Sequence, residues 1–312
     1  NPAKAVFLTT MDKYEKNQGK SHLTELTYAK MKLPTVSMII TLLALGLLTL
    51  FKKVRWAIGL TFLTLISQTT LITFRVLISG RAPITNMYET VLFSGFGALV
   101  LALGLTIYKK EKKFLFVGLS YNFMSLMMMN FATGMLNESI SPLVPVLRDN
   151  FWLSTHVTTV ILSYGAMALS WVMANTVLIR KKFKGIDKKE EKFYADHIYT
   201  CLKWGTTMLA AGVILGGVWA DYSWGRFWGW DPKETWSLIV LLIYIAILHG
   251  RYTNWINTRR FIPLVAGAFM SVMMAWFGVN YILASGLHSY GFSEGGAIFL
   301  GSFFALQILL LI

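Results

Sequence analysis

Apolar runs dominate this chain and decide what it can fold into. Thr35–Phe51, Trp56–Phe74, Met87–Tyr108, Phe114–Leu136, His156–Ile179, Ile198–Trp219, Thr235–Gly250, Phe261–Leu283 and Ala297–Ile312 follow one another with short polar breaks. Each comes close to the roughly 20 residues that a helix needs to cross the hydrocarbon layer of a bilayer. Backbone N–H and C=O groups find no water in lipid and must be satisfied within the spanning segment itself. The expected fold is therefore all-α, a polytopic integral membrane helical bundle of about nine transmembrane helices. Composition agrees: 55% of the 312 residues are hydrophobic and only 14% are charged, too few for the surface of a soluble domain. The last run stops at the final residue and the first residue is Asn, which reads as a fragment or one half of a longer protein. No cleavable signal peptide is visible.

A net charge of +14 could point to nucleic acid, but its distribution excludes that partner. The positive clusters fall in alternate loops: Lys52, Lys53 and Arg55; "KKEKK" at 109–113; Arg180 to Lys192; and Arg251, Arg259 and Arg260. Such alternation is the positive-inside pattern of a membrane protein. It places those loops in the cytoplasm and faces 75–86, 137–155, 220–234 and 284–296 outward. The N-terminal segment 1–34 is also expected outside, although its lysines run against the rule; an outer domain upstream in a fusion would account for them. The chain then divides into this segment, 1–34, and a transmembrane domain, 35–312. The single cysteine, Cys201, has no C-x-x-C partner, so a thiol oxidoreductase or a disulfide scaffold is excluded, and it reads as a buried helix residue.

With that topology the stretch "WGRFWGWDPKETW" lies outside. Trp219, Trp224, Trp228, Trp230 and Trp236 crowd together with Phe227, while Gly225 and Gly229 let the backbone approach closely. An ordinary interfacial aromatic belt supplies fewer indoles per helix end. An outward-facing tryptophan-rich segment at 219–236 better suits a large planar ligand. Within it, "DPKE" encodes a helix start: Asp231 as N-cap, Pro232 at the first helical position and Glu234 closing a capping box. Asp231 and Glu234 thus read as structural groups that hold the indoles in place.

Two of the histidines sit at outer helix ends, His156 in "WLSTHV" and His288 in "GLHSYG". Each alone is an unremarkable interfacial residue. Together with the indoles they supply what a six-coordinate heme iron needs, two neutral imidazoles across an aromatic surface. His249 lies about 27 Å beyond Asp231 at 1.5 Å per helical residue, near the inner side. An ionisable group inside a membrane helix marks function and needs a partner. His197 is the other histidine at that depth, expected to be exposed on a loop helix, and His22 lies in the polar N-terminal segment. Arg75, Arg81 and Arg226 could meet the carboxylates of a heme; the competing reading is an internal Arg75–Glu89 pair. Gly212 and Gly216 form a G-x-x-x-G that permits close helix packing. No P-loop, Rossmann fingerprint, zinc spacing or nucleophile elbow occurs.

As a set, these residues resemble a known family. "RAPITNMYETVLF", "WLSTHV", "WGWDPKETW", "AILHGR" and "GLHSYG" are similar, in order and near spacing, to the CcsA (ResC-like) branch of System II cytochrome c biogenesis, a heme-handling family with a WWD-type signature. The resemblance covers about 56–291 of the chain. It implies a cytochrome c synthase that receives heme b from inside, presents it outside and joins its vinyl groups to a C-x-x-C-H apocytochrome c. By motif position His156 and His288 correspond to the outer axial ligands of the heme iron. Trp224, Trp228, Trp230, Asp231 and Trp236 fall in the presenting segment. His249 corresponds to a buried heme ligand whose counterpart belongs to a CcsB (ResB-like) partner, separate or fused, of which 1–34 would be the tail. Thiol-reducing thioredoxin-like proteins and membrane lipids complete the implied partners. The implied site is the bacterial plasma membrane, with the heme face toward the periplasm, in preference to a thylakoid membrane. A heme exporter without ligation activity and a b-type electron-transfer subunit are the competing readings. A solute transporter is disfavoured because neither internal repeats nor broken midplane helices are evident.

Overall fold

The structure, a computed structural model, describes residues 21–143, 145–283 and 296–312, with Lys4, Val6, Thr9 and Thr10 ahead of them. His288 and its "GLHSYG" motif lie outside the described residues. No strand occurs among those described. The helices are α1 (Ser21–Met31), α2 (Leu33–Thr49), α3 (Val54–Ser79), α4 (Met87–Lys109) and α5 (Lys112–Phe131). They continue with α6 (Asn150–Phe183), α7 (Lys188–Trp224), α8 (Pro232–Tyr252), α9 (Thr258–Tyr281) and α10 (Gly296–Leu311). Among the described residues eight segments are long and apolar enough to span a bilayer: Leu23–Thr49, which joins α1 to α2 across Lys32, and each of α3 to α9. The ninth apolar helix, α10, has 16 residues.

The helices outrun their apolar cores. The run Ile198–Trp219 became Lys188–Trp224, because charged residues are good helix formers and Asp187 caps the start by accepting from the Glu190 N–H at 2.7 Å. Its 37 residues make a rod of about 55 Å, well beyond the bilayer core of about 30 Å. Likewise α6 begins before His156, capped by Asp149 on Phe151 and Trp152.

In the bundle α6 is central, packed by α4, α5, α7 and α9, while α2, α3 and α5 form a flank and α8 lies against α7 and α9. Polar side chains serve as glue between helices where lipid supplies no hydrophobic drive. Gln68 and Asn122 exchange hydrogen bonds of 3.0 and 3.2 Å, linking α3 to α5. Gln307 of α10 accepts from Trp171 at 2.7 Å and from Asn175 at 3.1 Å, which docks α10 on α6. All the basic loops collect at one end of this up-and-down arrangement. The starts of α4, α6 and α8 and the ends of α7 and α9 meet at the other.

Candidate functional site

The tryptophan segment is held rigid from within. α7 stops at Gly225, whose φ of +67° suits a glycine C-cap. Six residues later α8 starts with the full capping box: Asp231 Oδ1 accepts from the Lys233 and Glu234 N–H groups at 2.9 and 3.0 Å, and Glu234 Oε2 accepts back from the Asp231 N–H at 3.3 Å. Glu234 does more than close the box. It also accepts from the Gly229 N–H at 2.6 Å and pairs with Arg226 at 3.0 Å. Arg226 in turn lies over the Trp224 ring and so close to Gly229 that a Cβ there would come within 1.9 Å of the guanidinium. Only glycine fits. Trp230 carries the cost of this path, with φ at +59°, a left-handed conformation that bulky residues rarely take.

The indoles expected to act together are divided. Trp219 is buried among Ile84, Leu147 and Leu153. Trp228 is half-buried and meets Trp230 edge to face, with centroids 5.8 Å apart. Trp230 is 69% exposed, Trp224 is engaged with Arg226, and Trp236 packs into the main core. Phe227 places its ring against Gly217, where a Cβ would lie 2.5 Å from Cζ. Trp219 and Trp228 are therefore the two that reach the cavity below.

His156 is set by a feature that spacing did not reveal. It lies in a π-helical turn, Leu153–Val157, within α6; such turns re-aim side chains and favour functional sites. Its ring rests on the G-x-x-x-G face of α7. A Cβ on Gly216 would fall 2.6 Å from the imidazole Cε1, and Nδ1 lies 2.9 Å from the Gly212 carbonyl oxygen. That carbonyl can only accept, so in the neutral ring Nδ1 carries the proton and Nε2 the lone pair, the tautomer suited to a metal. Trp219 meets the ring edge-on with centroids at 5.7 Å. The glycines read from sequence as helix packing thus also form the seat of the imidazole.

His156, Trp219 and Trp228 line one cavity of about 200 Å³ with Thr90, Lys233 and Trp276. A second π-turn, Met274–Gly278, presents Trp276, whose indole donates to Thr90 at 3.2 Å. Pockets that enclose a whole drug-sized ligand run to about 300–1,000 Å³, so a macrocycle would enter this one by an edge. The residues fit a heme in kind: an imidazole in the right tautomer, aromatic walls, and buried indole N–H groups of Trp219 and Trp228 with no acceptor. Lys233 was missed. Its signal was present in "DPKE", a cation one step inside a capped helix beside the indoles.

The arginines lie elsewhere. Arg75 is fully buried and forms the internal pair with Glu89, from Nε at 2.9 Å and Nη2 at 2.8 Å, while Nη1 donates to the Tyr28 hydroxyl and the Glu138 carbonyl. Arg81 donates to the Ser141 carbonyl at 2.6 Å. Neither they nor Arg226 line the cavity. His197, expected exposed, is instead half-buried between Phe114 and Phe193, with Nδ1 bonded to the Phe193 carbonyl, because α7 begins early enough to pack its first turns on α5. His249 is exposed on α8 in a stripe with Leu242, Ile245 and Ala246. Cys201 is buried as expected.

Comparison with known proteins identifies the family. Residues 84–288 match the family described as cytochrome C assembly protein. The cytochrome c biogenesis protein CcsA of Guillardia theta is 33% identical over 287 residues, covering 82% of this chain and 93% of that protein. Protein NrfI of Wolinella succinogenes is 34% identical over 222 residues, 69% of this chain but 24% of that much longer protein. Among solved structures, cytochrome c heme lyase CcmF superposes on 93% of this chain and 51% of its own, with a TM-score of 0.60 and 16% identity, a likeness of fold. With a match across most of its length and CcsA proteins aligned nearly end to end, the chain belongs to the CcsA-type family of cytochrome c biogenesis proteins.

Proposed function

We propose that this protein is the heme-presenting subunit of a cytochrome c synthase. Heme b enters from the basic-loop side, is offered at the opposite, periplasmic face of the plasma membrane between His156 and His288, and is joined there to a C-x-x-C-H apocytochrome c. The observation that carries this reading is the seating of His156: an Nδ1–H bond to Gly212, a glycine face beneath the ring, and Trp219 at its edge, at the mouth of a bundle from a cytochrome c biogenesis family. Bound heme would supply the iron and the two vinyl groups that accept thiols. At each vinyl group a carbon–sulfur bond forms, the C=C π bond breaks and the thiol proton moves to carbon, so the step needs reduced cysteines and no oxidant. Side-chain acid–base work by this chain is not required. Its residues bind, orient and exclude water. Thiol-reducing thioredoxin-like proteins would keep the substrate cysteines ready.

His249 fits the same reading as half of a second site. Its stripe on α8 is open to a neighbouring helix, and a CcsB-like partner, separate or fused through 1–34, would cover it and add the other ligand. An exporter that delivers heme without ligation shares every one of these features, so the test must follow the covalent product. The full-length protein, purified in detergent, should show bis-histidine b-type bands and a pyridine hemochrome that fade in His156→Ala/His288→Ala and return with added imidazole. Incubation with a reduced C-x-x-C-H peptide should then yield covalent heme-peptide. Heme without ligation would leave the exporter; no heme in the wild type would end the proposal.

The strain at Trp230 gives a further expectation. Trp230→Gly relieves a left-handed backbone worth about 1–2 kcal/mol, yet removes an exposed indole. The unfolding midpoint should hold or rise while heme retention falls several-fold; unchanged retention would show that this ring is only part of the interfacial belt.

A further inference from the structure

The cavity beside His156 is walled by two indoles, Trp219 and Trp228, whose buried N–H groups have no acceptor. An indole nitrogen can only donate, so it is satisfied by an acceptor or by nothing. Leaving one buried and unpaired costs free energy, and two in one small cavity call for an explanation. Lys233 lines the cavity as well, half-buried at the second position of α8. It closes no ion pair within 4.0 Å among the described residues. Among the described residues on the wall the carboxylate is Glu234, which is turned into the loop: Oε1 is taken by Arg226, and Oε2 by the Gly229 and Asp231 N–H groups. Two unpaired indole donors and a lysine thus line one space, while Glu234 is engaged by the loop.

We infer that Trp219, Trp228 and Lys233 form a carboxylate seat for a porphyrin side chain. The inference rests on the heme-handling reading and deepens it, because it assigns the macrocycle's anionic edge to two indoles and a lysine. None of the arginines named from sequence lines the cavity: Arg75 pairs with Glu89, Arg226 pairs with Glu234, and Arg81, whose Nε has no partner, donates from Nη2 to the Ser141 carbonyl. Ring placement follows from the geometry. A carboxylate drawn toward Trp219 is drawn toward His156, whose ring lies 5.7 Å from that indole. The seat would therefore set the rotation of the macrocycle in its plane, and with it which vinyl group faces the incoming thiol.

The test titrates the purified full-length protein with ferric heme and with its dimethyl ester, which keeps iron and ring and loses both negative charges. Soret absorbance gives the two affinities. Wild type should prefer the free acid by about 10-fold or more, the worth of a hydrogen bond to a charged group. Trp228→Phe, which keeps the ring and removes the N–H, and Lys233→Met should each shrink that preference, read as the ratio of acid to ester affinity in the same variant. Equal affinity of the wild type for acid and ester would overturn the seat while leaving heme handling intact. Preference retained in both variants would place the carboxylate elsewhere and also overturn it. A wild type that takes up neither porphyrin would sink the heme reading and the seat together. The ester comparison needs no variant, so a misfolded substitution cannot mask the answer.

Discussion

Gly216→Ala is expected to reduce heme retention about 10- to 100-fold, the range typical when the group orienting a metal ligand is lost. The added methyl would stand 2.6 Å from Cε1 and 3.1 Å from Nδ1 of His156. The ring cannot stay, and leaving breaks its bond to the Gly212 carbonyl. Helix propensity works the other way, since alanine favours a helix over glycine by up to about 1 kcal/mol. The fold should survive, and unfolding measured on the same sample would show it. The signature lies in rescue. Imidazole added to His156→Ala has the vacated seat to fill, whereas in His156→Ala/Gly216→Ala the methyl occupies it and rescue should fail. Full imidazole rescue of that double variant would mean the glycine face does not position the ring.

Losing one partner of the Arg75–Glu89 pair should be the most destabilising single change in the described part of the chain. The pair is almost completely shielded, with Arg75 and Glu89 at 0% and 1% exposure. It also ties four elements. Arg75 extends from α3, Glu89 from α4, Tyr28 from α1, and the Glu138 carbonyl from the loop before α6. The second Glu89 oxygen accepts from the Thr85 N–H and hydroxyl at 2.8 and 2.7 Å, fixing the turn into α4. Removing one member leaves a bare charge in a place without water, at a cost of about 3–5 kcal/mol. Arg75→Leu and Glu89→Leu should each lose that much in equilibrium unfolding in micelles. The double variant should recover most of it, because neither charge is then stranded. Additive losses would show that the surrounding hydrogen bonds, and not the pair, carry the stability.

Much of this was legible in the sequence, for reasons that can be located. Apolar runs between basic loops gave the bundle, because lipid permits few alternatives. "DPKE" gave the capping box, since that motif is local and its hydrogen bonds close within four residues. The limits of reading are equally physical. The π-turns at 153–157 and 274–278 insert extra residues into otherwise regular helices without any composition signal. The early start of α7, which buries His197 against Phe114, depends on charged residues that hydropathy discounts. Five tryptophans in eighteen positions looked like one platform; the backbone sends only Trp219 and Trp228 to the cavity. Likewise Arg75 offered two readings in sequence, and only its distance to Glu89 separates them.

The glycine face of α7 has a consequence for what the chain can tolerate in its length. Gly205 lies against Ala166 and Met167, Gly212 against Val160, and Gly216 against His156, a single row running along the rod toward α6. Helical phase keeps that row in line, at about 100° per residue. One residue gained or lost between Gly205 and Gly212 would turn the far half of the row away from its partner by more than a quarter of a circle. A gain of seven would turn it by only about 20°. The spacing of these glycines is therefore a ruler as well as a seat: substitutions on the outer faces of α7 are absorbed by the lipid, while insertions are counted.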